Sequence, residues 1–201
     1  LESMLLARHL DLQAHELRAR GQGYNNICSS GHEANVVLGR LTFPEDPALL
    51  HYRSAALQIE RARHVTGIDA VRDIALSLVA CREEPTSGGR HKLFGHKALG
   101  IIPKTSTIAS HLPRALGLAF GIERRLRLGL PGDSRHDPIA LVTLGDASLN
   151  HSTALGTLNA VSWTLHQNLK LPVLIVCEDN GLGISVRTPE GWVETRLAHL
   201  P

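Results

Sequence analysis

The chain is poor in the groups that define several large classes of protein. Its three cysteines, Cys28, Cys81 and Cys177, stand far apart with no Cys-x-x-Cys pair. That argues against a disulfide framework and against structural zinc, and it points to a reducing compartment, so the expected localisation is cytoplasmic. Aromatics are limited to Phe43, Phe94, Phe120, Tyr24, Tyr52, Trp163 and Trp192. Stacking on nucleic-acid bases is not built from so few rings. Lys and Arg number 21 against 19 Asp and Glu, and the net charge of +2 offers no grip on a polyanion. No run approaches ~18 consecutive apolar residues, which excludes a membrane-spanning helix of that kind. The chain opens on Leu1 with no charged-then-apolar leader, and the expectation is a piece of something longer.

What is present is a good core. The 201 residues are 43% hydrophobic, enough for one sizeable domain. Leu6, Leu10, Gln13 and Leu17 recur at helical spacing, and Gly21 and Gly23 end that helix. A second helix is expected near Gly31–Ala34, and a third from about Asp69 with Val71, Ile74 and Leu78 on one side. From Pro85 to Pro103 the pattern is irregular, rich in glycine and basic residues, and such segments inside compact domains are often functional. Ser110–Pro113 reads as a helix start, and the helix it opens is apolar on several faces and carries Gly117 and Gly121. That helix fits either the domain's own core or a partner surface.

The clearest pattern lies in the second half. Ile139–Leu144 is a short apolar run ending in Gly145-Asp146-Ala147-Ser148. A helix follows, with Leu155, Leu158, Val161 and Leu165 at helical spacing, then a second apolar run, Pro172–Cys177, ending in Glu178-Asp179-Asn180-Gly181-Leu182-Gly183. Strand, helix, strand predicts a βαβ unit. Continuous apolar strands predict a parallel sheet buried on both faces, so the fold class is α/β with helices on both faces of the sheet and a helical N-terminal segment. Ligands of such sheets bind beyond the carboxyl ends of the strands. A carboxylate at Asp146 and an amide oxygen at Asn180 are hard ligands that suit magnesium. Backbone N–H groups after Ser148 suit a phosphate. Taken singly, each turn is also an ordinary Asp cap or Asn-Gly turn; the pair at two strand ends favours magnesium plus diphosphate.

These residues resemble the signature of thiamine diphosphate-dependent enzymes, Gly145-Asp146-Ala147 through Asn180. More closely, the chain resembles the alpha-subunit type of the 2-oxo acid dehydrogenase decarboxylase component. The resemblance rests also on Ser29–Ala34, His51-Tyr52-Arg53, Thr105–Pro113 and Val176–Ser185, in the family's order and over nearly the whole chain. It implies one domain over residues 1–201, the magnesium and diphosphate half, incomplete at its C-terminus. Asp146, the Asn180 side chain and the Leu182 carbonyl would hold magnesium. Tyr52 and Arg53 would bind the diphosphate, the planar fork of Arg suiting phosphate oxygens. Gly145, Ala147 and Ser148 would add backbone contacts. Ile108 would wedge under the bent cofactor, with Ser106 beside the aminopyrimidine. His91 is the candidate catalytic histidine, with His96 near in register. His111 reads as structural, and His32 and His51 lie beside the matched stretches.

Departures from the pattern are local. Ala147 replaces the signature's second glycine, Glu178 stands where some relatives carry Arg, and His151 where relatives often carry Glu. Gln167–Lys170 reads as an extra loop. The implied reaction is oxidative decarboxylation of a 2-oxo acid with acyl transfer to a lipoyl-bearing acyltransferase. The implied partner is a beta subunit or fused half carrying the pyrimidine-binding domain, absent here, so an oligomer is expected and the isolated chain should turn over poorly. A non-catalytic interaction fragment of the same family and a transketolase-like enzyme are the alternatives. An unrelated magnesium–nucleotide binder would need a Walker loop, and none is present.

Overall fold

The structure is a computed structural model and describes residues 1–24, 27–90, 92–131, 137–198 and 200. In chain order the helices are α1 (Glu2–Ala19), α2 (Val36–Leu41), α3 (Ala55–Ala62), α4 (Ala70–Leu78), α5 (Leu112–Arg127), α6 (Ser152–His166) and α7 (Trp192–Leu197). The strands are β1 (Ala48–Leu49), β2 (Phe94–His96), β3 (Ile101–Lys104), β4 (Ala140–Gly145), β5 (Val173–Glu178), β6 (Leu182–Gly183) and β7 (Val186–Arg187). The chain divides into two compact units, 1–44 with 50–106, and 45–49 with 107–201.

The first unit is mainly helical. Helix α1 forms where expected but turns a different face inward. Its buried residues are Ser3, Ala7, Asp11 and Ala14, while Leu6, Leu10 and Leu17 are only half-buried. Small side chains at positions 3, 7 and 14 let α1 pack closely on α3, and Ser3 Oγ donates to Glu60 Oε2 at 2.5 Å. Asp11 survives burial because the Ser29 N–H donates to both its oxygens, at 2.9 and 2.8 Å. Helix α4 begins as predicted, with Asp69 accepting from the Arg72 N–H (2.9 Å). Helix α3 has no sequence-based expectation, because its residues are buried nearly all round and show no period. It carries Arg61, fully buried, which donates to the Leu99 carbonyl (3.1 Å) and to Thr42 Oγ1.

The irregular stretch before residue 104 contains order that periodicity does not reveal. β2 and β3 pair antiparallel, three and four residues long, too short to show alternation. Gly100 turns between them at φ +62°, where a Cβ would lie 1.8 Å from the Pro44 carbonyl oxygen. Only glycine fits that turn.

The second unit holds the βαβ. β4 pairs parallel with β5 over its six residues, from Ala140↔Val173 to Gly145↔Glu178, and parallel with β1 at Ala48↔Leu141. β4 is buried along its full length, as a central parallel strand should be. β5 is not: its residues are half-buried and Leu174 is exposed, because among the described residues it pairs only with β4. Helix α5 packs on β4 through Leu112, Ala115, Leu116, Ala119 and Ile122. Gly117, Phe120 and Gly121 lie on its exposed side, so the helix is amphipathic rather than apolar all round. Helix α6 keeps only part of the expected face. Leu158 is buried and Val161 half-buried, but Leu155 and Leu165 are exposed, whereas Thr157 and Thr164 are buried. Their hydroxyls donate to carbonyls four residues back, Thr153 (2.8 Å) and Ala160 (2.7 Å), which removes the penalty of burying them.

Candidate functional site

The residues assigned to the site fall into one group in each unit. In the second unit, β4 and β5 end level with each other, so the turns after Gly145 and Glu178 start side by side. Asp146 opens a short 3-10 turn running to Asn150, and α6 starts only at Ser152, capped by His151 Nδ1 accepting from the Thr153 N–H (3.2 Å). The backbone N–H groups nearest the strand end therefore belong to this tight turn, not to the first turn of α6. Ala147 has an ordinary negative φ, since among the described residues positive φ at non-glycine positions occurs only at Ala80, Ala109, Asn168 and Ile184. Replacing the signature glycine therefore strains nothing.

The two turns touch. A Cβ built on Gly183 would lie 2.7 Å from the Ala147 Cβ, so the absent side chain at 183 lets the second turn close against the first. Within the second turn, Asn180 Oδ1 accepts from the Leu182 N–H (3.0 Å), which fixes the amide at the strand end. Asp146 is 1% exposed, and its Oδ2 has no hydrogen-bond partner among the described residues. A buried carboxylate oxygen without a donor is costly unless a cation meets it. Burial, then Asp146, Asp179 and Glu178, push the nearby Cys177 thiol up to about 12, so it stays protonated. The same three carboxylates make this strand end electronegative. Hard oxygens, a negative field and an orphaned buried carboxylate oxygen are the donor set that magnesium takes. Behind the site His111, 1% exposed, donates from Nε2 to the Thr143 carbonyl (2.7 Å), the structural role expected of it. Ile108 is half-buried and precedes Ala109, which is buried at φ +57°.

In the first unit, Tyr52 and Arg53 form the turn before α3. The Arg53 guanidinium lies 5.2 Å and the Lys104 ammonium 5.6 Å from the Tyr52 ring centroid. His51 stacks between Tyr52 (4.1 Å) and His32 (4.8 Å), and both histidines are buried. Arg53 donates to the Cys28 carbonyl at 2.6 Å. Ser106 is half-buried just past β3. His91 lies outside the described residues. The loop leading to it is built by Glu84, which accepts from Thr86 N–H (2.8 Å), Ser87 N–H (2.6 Å) and Ser87 Oγ (2.7 Å). Burial pushes the Glu84 carboxyl up, but these donors outweigh it and hold the group below its ordinary value. Sequence reasoning passed over Glu84, Lys92 and Gly183. Lys92 stands in a basic stretch, two residues after Arg90, and only tertiary contacts show it to be buried.

The family model for the dehydrogenase E1 component matches residues 1–199. The 2-oxoisovalerate dehydrogenase subunit alpha of Bacillus subtilis is 30% identical over 188 residues, 92% of this chain and 51% of that protein. The mitochondrial 2-oxoisovalerate dehydrogenase subunit alpha of Caenorhabditis elegans is 26% identical over 99 residues, 49% of this chain and 20% of that protein. The chain thus spans about half the length of its Bacillus relative. With a match that runs over residues 1–199, through both units, the chain belongs to the dehydrogenase E1 component family.

Proposed function

We propose that this chain is the magnesium- and diphosphate-binding part of a thiamine diphosphate-dependent 2-oxo acid dehydrogenase of the E1 alpha type. The observation that carries the reading is the buried Asp146 Oδ2 at the end of β4, without a donor among the described residues and beside the turn that follows β5. Asp146, Asn180 and the Leu182 carbonyl would hold magnesium, and the metal would neutralise a diphosphate that this electronegative strand end otherwise repels. When bound, the thiazolium ring of the cofactor supplies the electron sink for loss of carbon dioxide. The chain's own residues bind and orient. Tyr52 and Arg53 would hold phosphate oxygens, Ile108 would support the cofactor from below, and Ser106 would lie beside the aminopyrimidine. The reaction reads as oxidative decarboxylation with acyl transfer to a lipoyl group, carried out with a beta-type partner that supplies the pyrimidine-binding half. Both relatives are named for 2-oxoisovalerate, which supports a branched-chain 2-oxo acid.

Thermal unfolding tests it. Thiamine diphosphate and magnesium together should stabilise the chain, by about 2.7 kcal/mol at a hundredfold excess over Kd, and neither alone should. Asp146→Ala should abolish the shift. Equal shifts in wild type and variant, or none in wild type, would refute the site.

A further inference from the structure

The first unit contains a buried cation that the signature does not account for. Lys92 is 7% exposed. Its ammonium donates to the Ile27 carbonyl and lies 5.4 Å from the Phe94 ring centroid. Arg53 donates to the carbonyl of the next residue, Cys28. Two cations thus reach consecutive carbonyls of one short segment. The groups acting electrostatically on Lys92 are Asp11 from α1, Cys28, and Arg53 itself. Asp11 makes no ion pair with it: both its oxygens accept from the Ser29 N–H, and Oδ2 also accepts from Ser30 Oγ at 3.2 Å. Among the described residues Lys92 forms no salt bridge. A lysine has three N–H donors, and the carbonyl of Ile27 takes one.

We propose that Lys92 and Arg53 together form a two-cation oxyanion site, with Lys92 as a further anion-binding residue beside the Tyr52-Arg53 turn. Burying the Lys92 ammonium within the field of the half-buried Arg53 guanidinium, with no ion-paired carboxylate of its own among the described residues, costs stability, and a bound oxyanion recovers it. Burial, the largest cause, draws the Lys92 ammonium down to about 8, which Asp11 and Cys28 only partly oppose and Arg53 reinforces. The ammonium is therefore still charged at neutral pH and ready to accept an anion. The chemistry is that of a phosphate or a carboxylate. This inference rests on the cofactor reading above, and the two sources it allows are the cofactor's diphosphate and the carboxylate of a 2-oxo acid.

Calorimetric titration of the full chain distinguishes them, with magnesium thiamine diphosphate, magnesium pyrophosphate and pyruvate as separate probes. Wild type and Lys92→Met are compared, the latter keeping the apolar stem. Loss of one charge-assisted bond should weaken the relevant anion 10- to 100-fold. Weakened pyrophosphate and cofactor binding assigns the site to diphosphate. Weakened pyruvate binding with pyrophosphate unchanged assigns it to the substrate carboxylate. Unchanged affinity for all three overturns the proposal while leaving the cofactor reading intact. A wild-type chain that binds no magnesium thiamine diphosphate sinks the cofactor reading, and unchanged binding of the other two then sinks this one. The pH profile gives a second readout. Wild-type anion affinity should fall above about pH 8 relative to Lys92→Met, as Lys92 loses its proton. If the variant does not fold, wild-type pyruvate affinity alone decides whenever pyruvate binds: a flat profile between pH 7 and 9.5 overturns the proposal and a fall sustains it. If only pyrophosphate binds, Lys92→Gln replaces Met in the same comparison.

Discussion

Replacing Lys92 by Met should make the ligand-free chain more stable at neutral pH, the reverse of what removing a hydrogen-bonded side chain usually does. The ammonium stands at about 8 in the folded chain against an ordinary 10.5. At about 1.36 kcal/mol per pH unit, keeping it charged and buried costs about 3 kcal/mol at pH 7. Met removes that cost and loses the bond to the Ile27 carbonyl, worth about 1 kcal/mol, for a net gain of about 2 kcal/mol. The sign of the pH dependence follows from proton counts. Between pH 8 and 10.5 the unfolded chain binds the extra proton, so wild-type stability rises with pH there relative to the variant. The advantage of Lys92→Met should be full below pH 8 and shrink by about 2 kcal/mol at pH 9.5. Urea unfolding of both chains at pH 7 and pH 9.5 measures it directly, because other titrating groups cancel in the difference. A variant less stable than wild type at pH 7, or a gap that does not change with pH, would refute the reasoning.

Other outcomes follow from single contacts. Gly183→Ala places a methyl 2.7 Å from the Ala147 Cβ and should abolish the magnesium-dependent thermal shift, and adding Ala147→Gly should restore part of it. Gly100→Ala combines φ +62° with a Cβ 1.8 Å from the Pro44 carbonyl oxygen, and should lower unfolding stability by about 3 kcal/mol or more. Glu84→Gln should cost about 1–2 kcal/mol at pH 7. Because the Glu84 carboxyl is held below its ordinary value, its contribution is present above about pH 4.5 and lost as the pH falls through the folded value, so the two chains should converge in urea unfolding at acid pH. His111→Ala removes the buried bond to the Thr143 carbonyl and the ring that fills its place, and should cost about 1–3 kcal/mol by the same assay.

The βαβ unit was legible because β4 is a continuous apolar run and both strands end in polar, glycine-bearing turns. The Asp146–Asn180 pairing followed from those strand ends. Helix faces were less legible. On α1 and α6 the most apolar residues are not the most buried. Close packing on α1 selects Ser3, Ala7 and Ala14, and threonines on α6 satisfy their own hydroxyls. α3 gave no signal because a helix buried nearly all round has no polar face to set a period.

The sequence by itself determined the parallel strand pair, the order of the motifs and the residue types that can take a divalent cation, because these depend on local pattern and on side-chain chemistry. Tertiary structure decided what depends on burial and contact between distant residues. It left one oxygen of Asp146 without a donor among the described residues, closed Gly183 onto Ala147, and carried Lys92 into the interior within the field of Arg53. Neither charge burial nor the exclusion of a Cβ is written in any local stretch of chain; both arise only when separate segments are packed together.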